Sequence, residues 1–76
     1  MKQRDLQDCI NDKLEKYFSD LNGEKANGVF KMVTNQVEST TLKFVLAKVN
    51  QNYSEAARIL GINRATLKKK VDLYKL

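Results

Sequence analysis

Histidine and proline are absent from the 76 residues, cysteine occurs once and glycine three times. Without histidine the chain lacks the commonest general base and cannot build a Ser-His relay. A lone cysteine forms no internal disulfide, and with no histidine beside it a structural zinc site is nearly excluded. No Gly-rich phosphate loop occurs either. The chain is therefore not expected to be an enzyme, and no catalytic residue, metal or cofactor is expected. So few turn residues also argue against a hairpin-rich β fold. The longest apolar run falls far short of the ~20 residues a membrane span needs. Asp5 and Asp8 stand where a signal peptide would be apolar. A single reduced Cys9 fits the cytoplasm.

What is present is a small, basic, helix-patterned chain. It weighs 8.7 kDa. It is 42% hydrophobic and 30% charged, with a formal net charge of +5. A domain of this size buries only about 60–65% of its unfolded surface, so its core is thin. With disulfides and metals set aside, a partner subunit or very good helix packing must supply the stability.

Residues 5–21 follow a helical period through Leu6, Ile10, Leu14, Phe18 and Leu21. Asp12 and Lys16 form an i,i+4 pair in the favourable order, and Asn22-Gly23 is expected to end the helix. The acidic series Asp5, Asp8, Asp12 and Glu15 reads as a solvated face rather than a metal site. Cys9 reads as a small buried or half-buried thiol without a base to activate it. Asn27 or an earlier residue is expected to cap a second helix over residues 29–49. There Phe30, Val33, Val37, Thr41, Phe44 and Val45 form one stripe, while Leu42, Leu46 and Val49 lie roughly a third of a turn away or more. Such a helix is apolar over more of its circumference than a one-sided surface helix, and a second subunit is the natural cover. Tyr17, Phe18, Phe30 and Phe44 read as core. The hydroxyls of Ser39, Thr40 and Thr41 can bond to earlier carbonyls.

After the polar break at residues 50–52, a short helix is expected from the cap Ser54 to Leu60, stopped by Gly61. Asn63 is expected to cap a final helix from Arg64 to about Tyr74. Residues 53–70 read YSEAARILGINRATLKKK. Ala57, Gly61 four residues on and Leu67 ten residues on have the spacing of a helix-turn-helix. The small alanine permits close approach, Gly61 takes the positive φ of the turn, and Leu67 faces inward with Ala56, Leu60 and Ile62. The second helix exposes Asn63, Arg64, Thr66, Lys68, Lys69 and Lys70, donors suited to base edges and phosphates in a major groove. The lysine run also reads as a solvated helix end, where cations suit the dipole. Tyr53 could contact a phosphate or pack at the turn. Residues 50–76 hold six basic and two acidic side chains, against eight and seven before them.

Two stretches, LEKYFSDLNG at 14–23 and ARILGINRATLKKK at 57–70, resemble the Fis family of bacterial nucleoid-associated proteins. The second is also similar to the DNA-binding domain of NtrC-type activators, and an isolated domain of that kind is the alternative. A helical module that binds acidic proteins or RNA is a third reading. The Fis resemblance implies an all-α, four-helix subunit, intertwined as a homodimer through residues 5–49, with the helix-turn-helix at 53–75. That would place Phe18, Phe30, Val33, Val37, Phe44 and Leu46 at the dimer interface. It further implies a nucleoid protein that regulates transcription and bends double-stranded DNA, at degenerate sites with a guanine near each end and an A/T-rich centre. Arg64 would read that guanine. Asn63, Thr66, Lys68 and Lys69 would hold groove-edge bases and phosphates, and Asn52 and Ser54 a phosphate at the start of the motif. Thr40 stands where the family often has proline, and Asn50 where a basic residue often precedes the motif. Glu55 replaces what is often a basic or neutral residue and Asp72-Leu73 replaces a basic pair, so contacts to flanking DNA are expected to be weaker. Only about five residues precede the first helix, so the hairpin arm through which some members activate invertases, and with it recombinase activation, is not expected.

Overall fold

A computed structural model describes residues 5–76. Among these residues there are four helices and no strand: α1 (Leu6–Ser19), α2 (Val29–Lys48), α3 (Tyr53–Leu60) and α4 (Arg64–Tyr74). The chain divides into two compact units, one up to Val33 and one over Thr34–Leu76.

In the first unit, Asp5 and Asp8 start α1 reciprocally. The Asp8 amide donates to the Asp5 carboxylate at 2.9 Å, and the Asp5 amide donates to the Asp8 carboxylate at 3.4 Å. This is a capping box, with two acidic groups at the positive end of the helix dipole. The helix closes at Ser19, two residues short of the expected end. There the Ser19 hydroxyl turns back to the Glu15 carbonyl at 2.8 Å, and Lys16 pairs with Asp20 at 3.3 Å. Asn22 and Gly23, with φ of 51° and 87°, form the turn that follows. The Tyr17 hydroxyl accepts from the Asn27 amide at 3.3 Å and donates to the Asn27 carbonyl at 3.2 Å. Met32 donates its amide to Gly28, so Gly28 and not Asn27 occupies the cap position of α2.

Two expectations for this unit fail. Cys9 is exposed rather than buried. Phe18 and Phe30 are 55% and 82% exposed, so they do not form a core within the subunit. No residue of α1 is buried.

The second unit holds the core. Leu42 and Leu46 of α2, Ala56 and Ala57 of α3, and Leu67 and Val71 of α4 are buried together. Val45, Val49, Tyr53, Leu60, Ile62 and Tyr74 pack around them. Leu46, expected at a dimer interface, is thus consumed by the subunit's own core at 2% exposure. Phe44 remains 62% exposed, with the Lys48 ammonium 5.4 Å from its ring centre. The Thr41 and Ser39 hydroxyls bond back to the carbonyls of Val37 and Gln36 at 2.7 and 3.3 Å, as their sequence position suggested.

The joint between α2 and α3 is made by backbone. Asn50 and Gln51 both take left-handed torsions, with φ of 53° and 65°. This turns the Gln51 amide onto the Leu46 carbonyl at 2.8 Å and the Asn52 amide onto the Val49 carbonyl at 3.0 Å. Left-handed torsions cost a non-glycine residue roughly 1–2 kcal/mol. Gln51→Gly should therefore raise stability by about 1 kcal/mol, seen as a rise of roughly 4–8 °C in Tm at fixed protein concentration. Gly61→Ala should lower stability by a similar amount through its φ of 75° alone, because no atom lies within 4 Å of the added carbon.

Candidate nucleic-acid interface

α3 begins two residues earlier than the sequence suggested. Asn52, not Ser54, is the cap; its side-chain oxygen accepts the Glu55 amide at 3.1 Å. Ser54 lies exposed in the first turn. Gly61 ends the helix in the left-handed conformation with φ 75° and ψ 26°. Its amide donates to the Ala57 carbonyl at 2.9 Å, and the next amide, of Ile62, reaches the same carbonyl at 3.1 Å. These bonds satisfy carbonyls that would otherwise be orphaned at the helix end, and they turn the chain sharply into α4.

The close contact of the motif follows from side-chain size. Ala56 and Leu67 are fully buried and Ala57 is 5% exposed. Two alanines on the inner face of α3 leave room for the leucine of α4 between the backbones. Tyr53 half-packs against this core, the structural alternative among its two sequence readings.

Asn63 caps α4, with its side-chain oxygen accepting the Thr66 amide at 2.7 Å. That oxygen is committed to the fold, so the NH₂ donors of the same group are what the side chain offers a ligand. Arg64, Lys68 and Lys69 are exposed along α4, and Thr66 is half-buried beside them. With Leu67 and Val71 fixed inside, the helical period carries Lys68 and Lys69 away from the core, while Arg64, on the same stripe as Leu67 and Val71, is exposed because it is the first residue of α4. Asn52 and Ser54 sit at the far end of α3, about 12 Å along its axis from the turn.

Two cations of the motif are paired with carboxylates. Arg58 donates from Nε to the Glu55 carboxylate at 3.2 Å. The hydrogen bond holds Glu55 below the usual carboxylate range and raises Arg58. Both side chains are well exposed, so the pair adds little stability.

The second paired cation is Lys70, whose ammonium faces the Glu38 carboxylate of α2. It departs from its expected place among the free cations. Its spacing gave the signal: Leu67, Lys70, Val71 and Tyr74 share the inward stripe of α4. The hydrogen bond to Glu38 raises Lys70 above the usual lysine range. Next to it, the Tyr74 hydroxyl donates to the Asn35 side-chain oxygen at 3.2 Å. Burial first, and then the Glu38 charge, push the Tyr74 phenol up. Sequence reading missed Asn35 and Glu38 altogether.

Among the described residues no cluster of His, Cys, Asp or Glu is disposed to hold a metal ion, and no helix is long and apolar enough to cross a membrane.

Comparison with known proteins agrees with this motif. The model of the Fis family of bacterial regulatory proteins matches residues 35–74. The chain is 46% identical over 67 residues to a Fis-like DNA-binding protein of Neisseria meningitidis serogroup B, covering 88% of this chain and 85% of that protein. It is 40% identical over 76 residues to a Fis-like DNA-binding protein of Ralstonia nicotianae, covering 100% and 99%. It is also 38% identical over 72 residues to the DNA-binding protein Fis of Proteus mirabilis, covering 95% and 74%.

The cap of α4 can be tested separately from any ligand. Asn63→Ala should cost about 1 kcal/mol of stability, while Asn63→Asp should keep most of it, because aspartate caps as well as asparagine. Thermal denaturation of the two variants at neutral pH measures the difference.

Proposed function

The chain belongs to the Fis family of bacterial regulatory proteins, and from that premise we propose that it is a DNA-binding transcriptional regulator of the cytoplasm and nucleoid that acts as a homodimer. It is not an enzyme. The observation that carries the proposal is α4 itself: a capped helix, anchored by Leu67 and Val71, with Arg64 exposed in its first turn and Lys68 and Lys69 exposed beyond the core face. Arg64 lies in the first turn, where a side chain of a recognition helix meets base edges, and its fork matches the O6 and N7 of one guanine. Lys68 and Lys69 carry point charges suited to phosphates. Asn63 and Thr66 add groove-edge contacts, and Asn52 and Ser54 approach a phosphate at the start of α3.

The homodimer accounts for the exposed Phe18, Phe30 and Phe44. These, with the half-buried Val33 and Val37, pack against a second copy. Leu46 contributes to the subunit core instead. The two subunits present their recognition helices to adjacent major grooves and bend the duplex. The A/T-rich centre of the site is then favoured by its easily compressed minor groove rather than by a base contact.

Base reading and charge are separable by experiment. Arg64→Ala should lose about 1–3 kcal/mol on a duplex bearing the guanine and much less on one lacking it. Lys69→Ala should weaken both duplexes alike. Titration of each variant on both duplexes at several salt concentrations decides the matter; uniform weakening by Arg64→Ala would make Arg64 a phosphate clamp. The dimer has its own test in Phe44→Asp. In an interface the buried, unpaired carboxylate should cost several kcal/mol and abolish folding and dimerisation together. On a free surface the change should stay within about 0.5 kcal/mol. Analytical ultracentrifugation and thermal melts distinguish the two.

A further inference from the structure

Three consecutive lysines follow Leu67, yet the structure treats them differently. Lys68 and Lys69 are exposed, whereas the Lys70 side chain is only 35% exposed and Glu38 beside it 31%. One carboxylate oxygen of Glu38 is fully buried against that ammonium. Asn35 and Glu38 stand one turn apart on α2, and Lys70 and Tyr74 one turn apart on α4. Asn35 meets Tyr74 and Glu38 meets Lys70. Two bridges with these partners fix both the position of α4 along α2 and its rotation about its own axis. Around the ion pair, Thr41, Leu42, Leu60 and Ile62 line a shallow groove. The pair is thus only part-exposed to water, with Leu42, Leu60 and Ile62 among its neighbours.

We propose that Glu38 and Asn35 are positioning residues for DNA binding: they withhold Lys70 from the phosphate-facing cations and set the rotation of α4 that turns Arg64, Lys68 and Lys69 toward the duplex. The inference rests on the DNA-binding reading and adds to it a division of labour within the lysine run. Lys70 is a tether to α2, and Glu38 limits the cationic face to the residues that the groove needs. Releasing Lys70 should raise non-specific attraction and loosen the aim of Arg64, so selectivity between duplexes should fall.

The readout is the slope of log affinity against log salt, which counts phosphate contacts and does not respond to stability alone while the protein remains folded. Binding is titrated by fluorescence anisotropy on the guanine-bearing duplex and on one without the guanine. Lys69→Met should make the slope shallower by about one unit for each subunit bound. Lys70→Met should leave the slope at the wild-type value. Glu38→Gln should steepen it and reduce the ratio of affinities for the two duplexes. Lys70→Met leaves a buried carboxylate without its partner and could unfold the chain, so the double variant Glu38→Gln/Lys70→Met carries the same measurement with no stranded charge. Its slope should match that of the wild type.

A slope that falls in Lys70→Met or in the double variant as it does in Lys69→Met would show that Lys70 meets a phosphate, and would overturn the proposal. An unchanged slope and affinity ratio in Glu38→Gln would overturn it as well. Wild-type protein with no salt-dependent binding to either duplex would instead defeat the DNA-binding reading, before any variant is compared.

Discussion

Everything beyond the core depends on how closely α3 and α4 approach. Two alanines and a leucine, buried to between 0% and 5% exposure, set that distance. Larger residues in place of Ala56 or Ala57 would push α4 outward and with it every cation it carries. The turn can be short because Gly61 accepts a torsion that satisfies the last carbonyls of α3. Leu42 and Leu46 then close the third side of the core. So thin a core leaves little room for adjustment. Its few side chains must specify a recognition helix whose useful residues all lie outside it.

The motif was legible in the sequence because its determinants are local. The Ala57-Gly61-Leu67 spacing and the Asn63 cap each depend on residues a few positions apart. α4 accordingly has the bounds that the pattern indicates. What was not legible depends on partners distant along the chain. Lys70 lies among two exposed lysines, and only Glu38, 32 positions earlier, distinguishes it from them. Leu46 sits on a helix that is apolar on more than one side, and periodicity alone does not say which side the subunit claims for itself. Phe18, Phe30 and Phe44 read as core because they are large and apolar, yet the subunit has no surface to cover them. The displaced start of α3 has a simpler cause: Asn52 and Ser54 are both good caps two residues apart, and the left-handed torsions of Asn50 and Gln51 deliver the chain to the first of them.

Charge divides along the same line as the fold. Residues 34–76 hold eight basic and three acidic side chains, while the 33 before them hold six of each. The whole excess of +5 therefore belongs to the unit that contains the helix-turn-helix. Two of its cations, Arg58 and Lys70, are matched by carboxylates at short range. The cations left without a short-range carboxylate partner of this kind include Arg64, Lys68 and Lys69 of α4 and Lys43 and Lys48 of α2.

The joint at Asn50 and Gln51 has a consequence for how such a protein can diverge. Its course is written in torsion angles and main-chain hydrogen bonds, to Leu46 and Val49, rather than in the identity of the two side chains. Those side chains are exposed and take no part in the core. A lineage can therefore change the charge at this corner, through residues that accept a left-handed torsion, while the angle at which α2 delivers the motif is inherited unaltered. Geometry and chemistry are separately mutable there, which makes the corner a place where new ligand preferences can arise without refolding the domain.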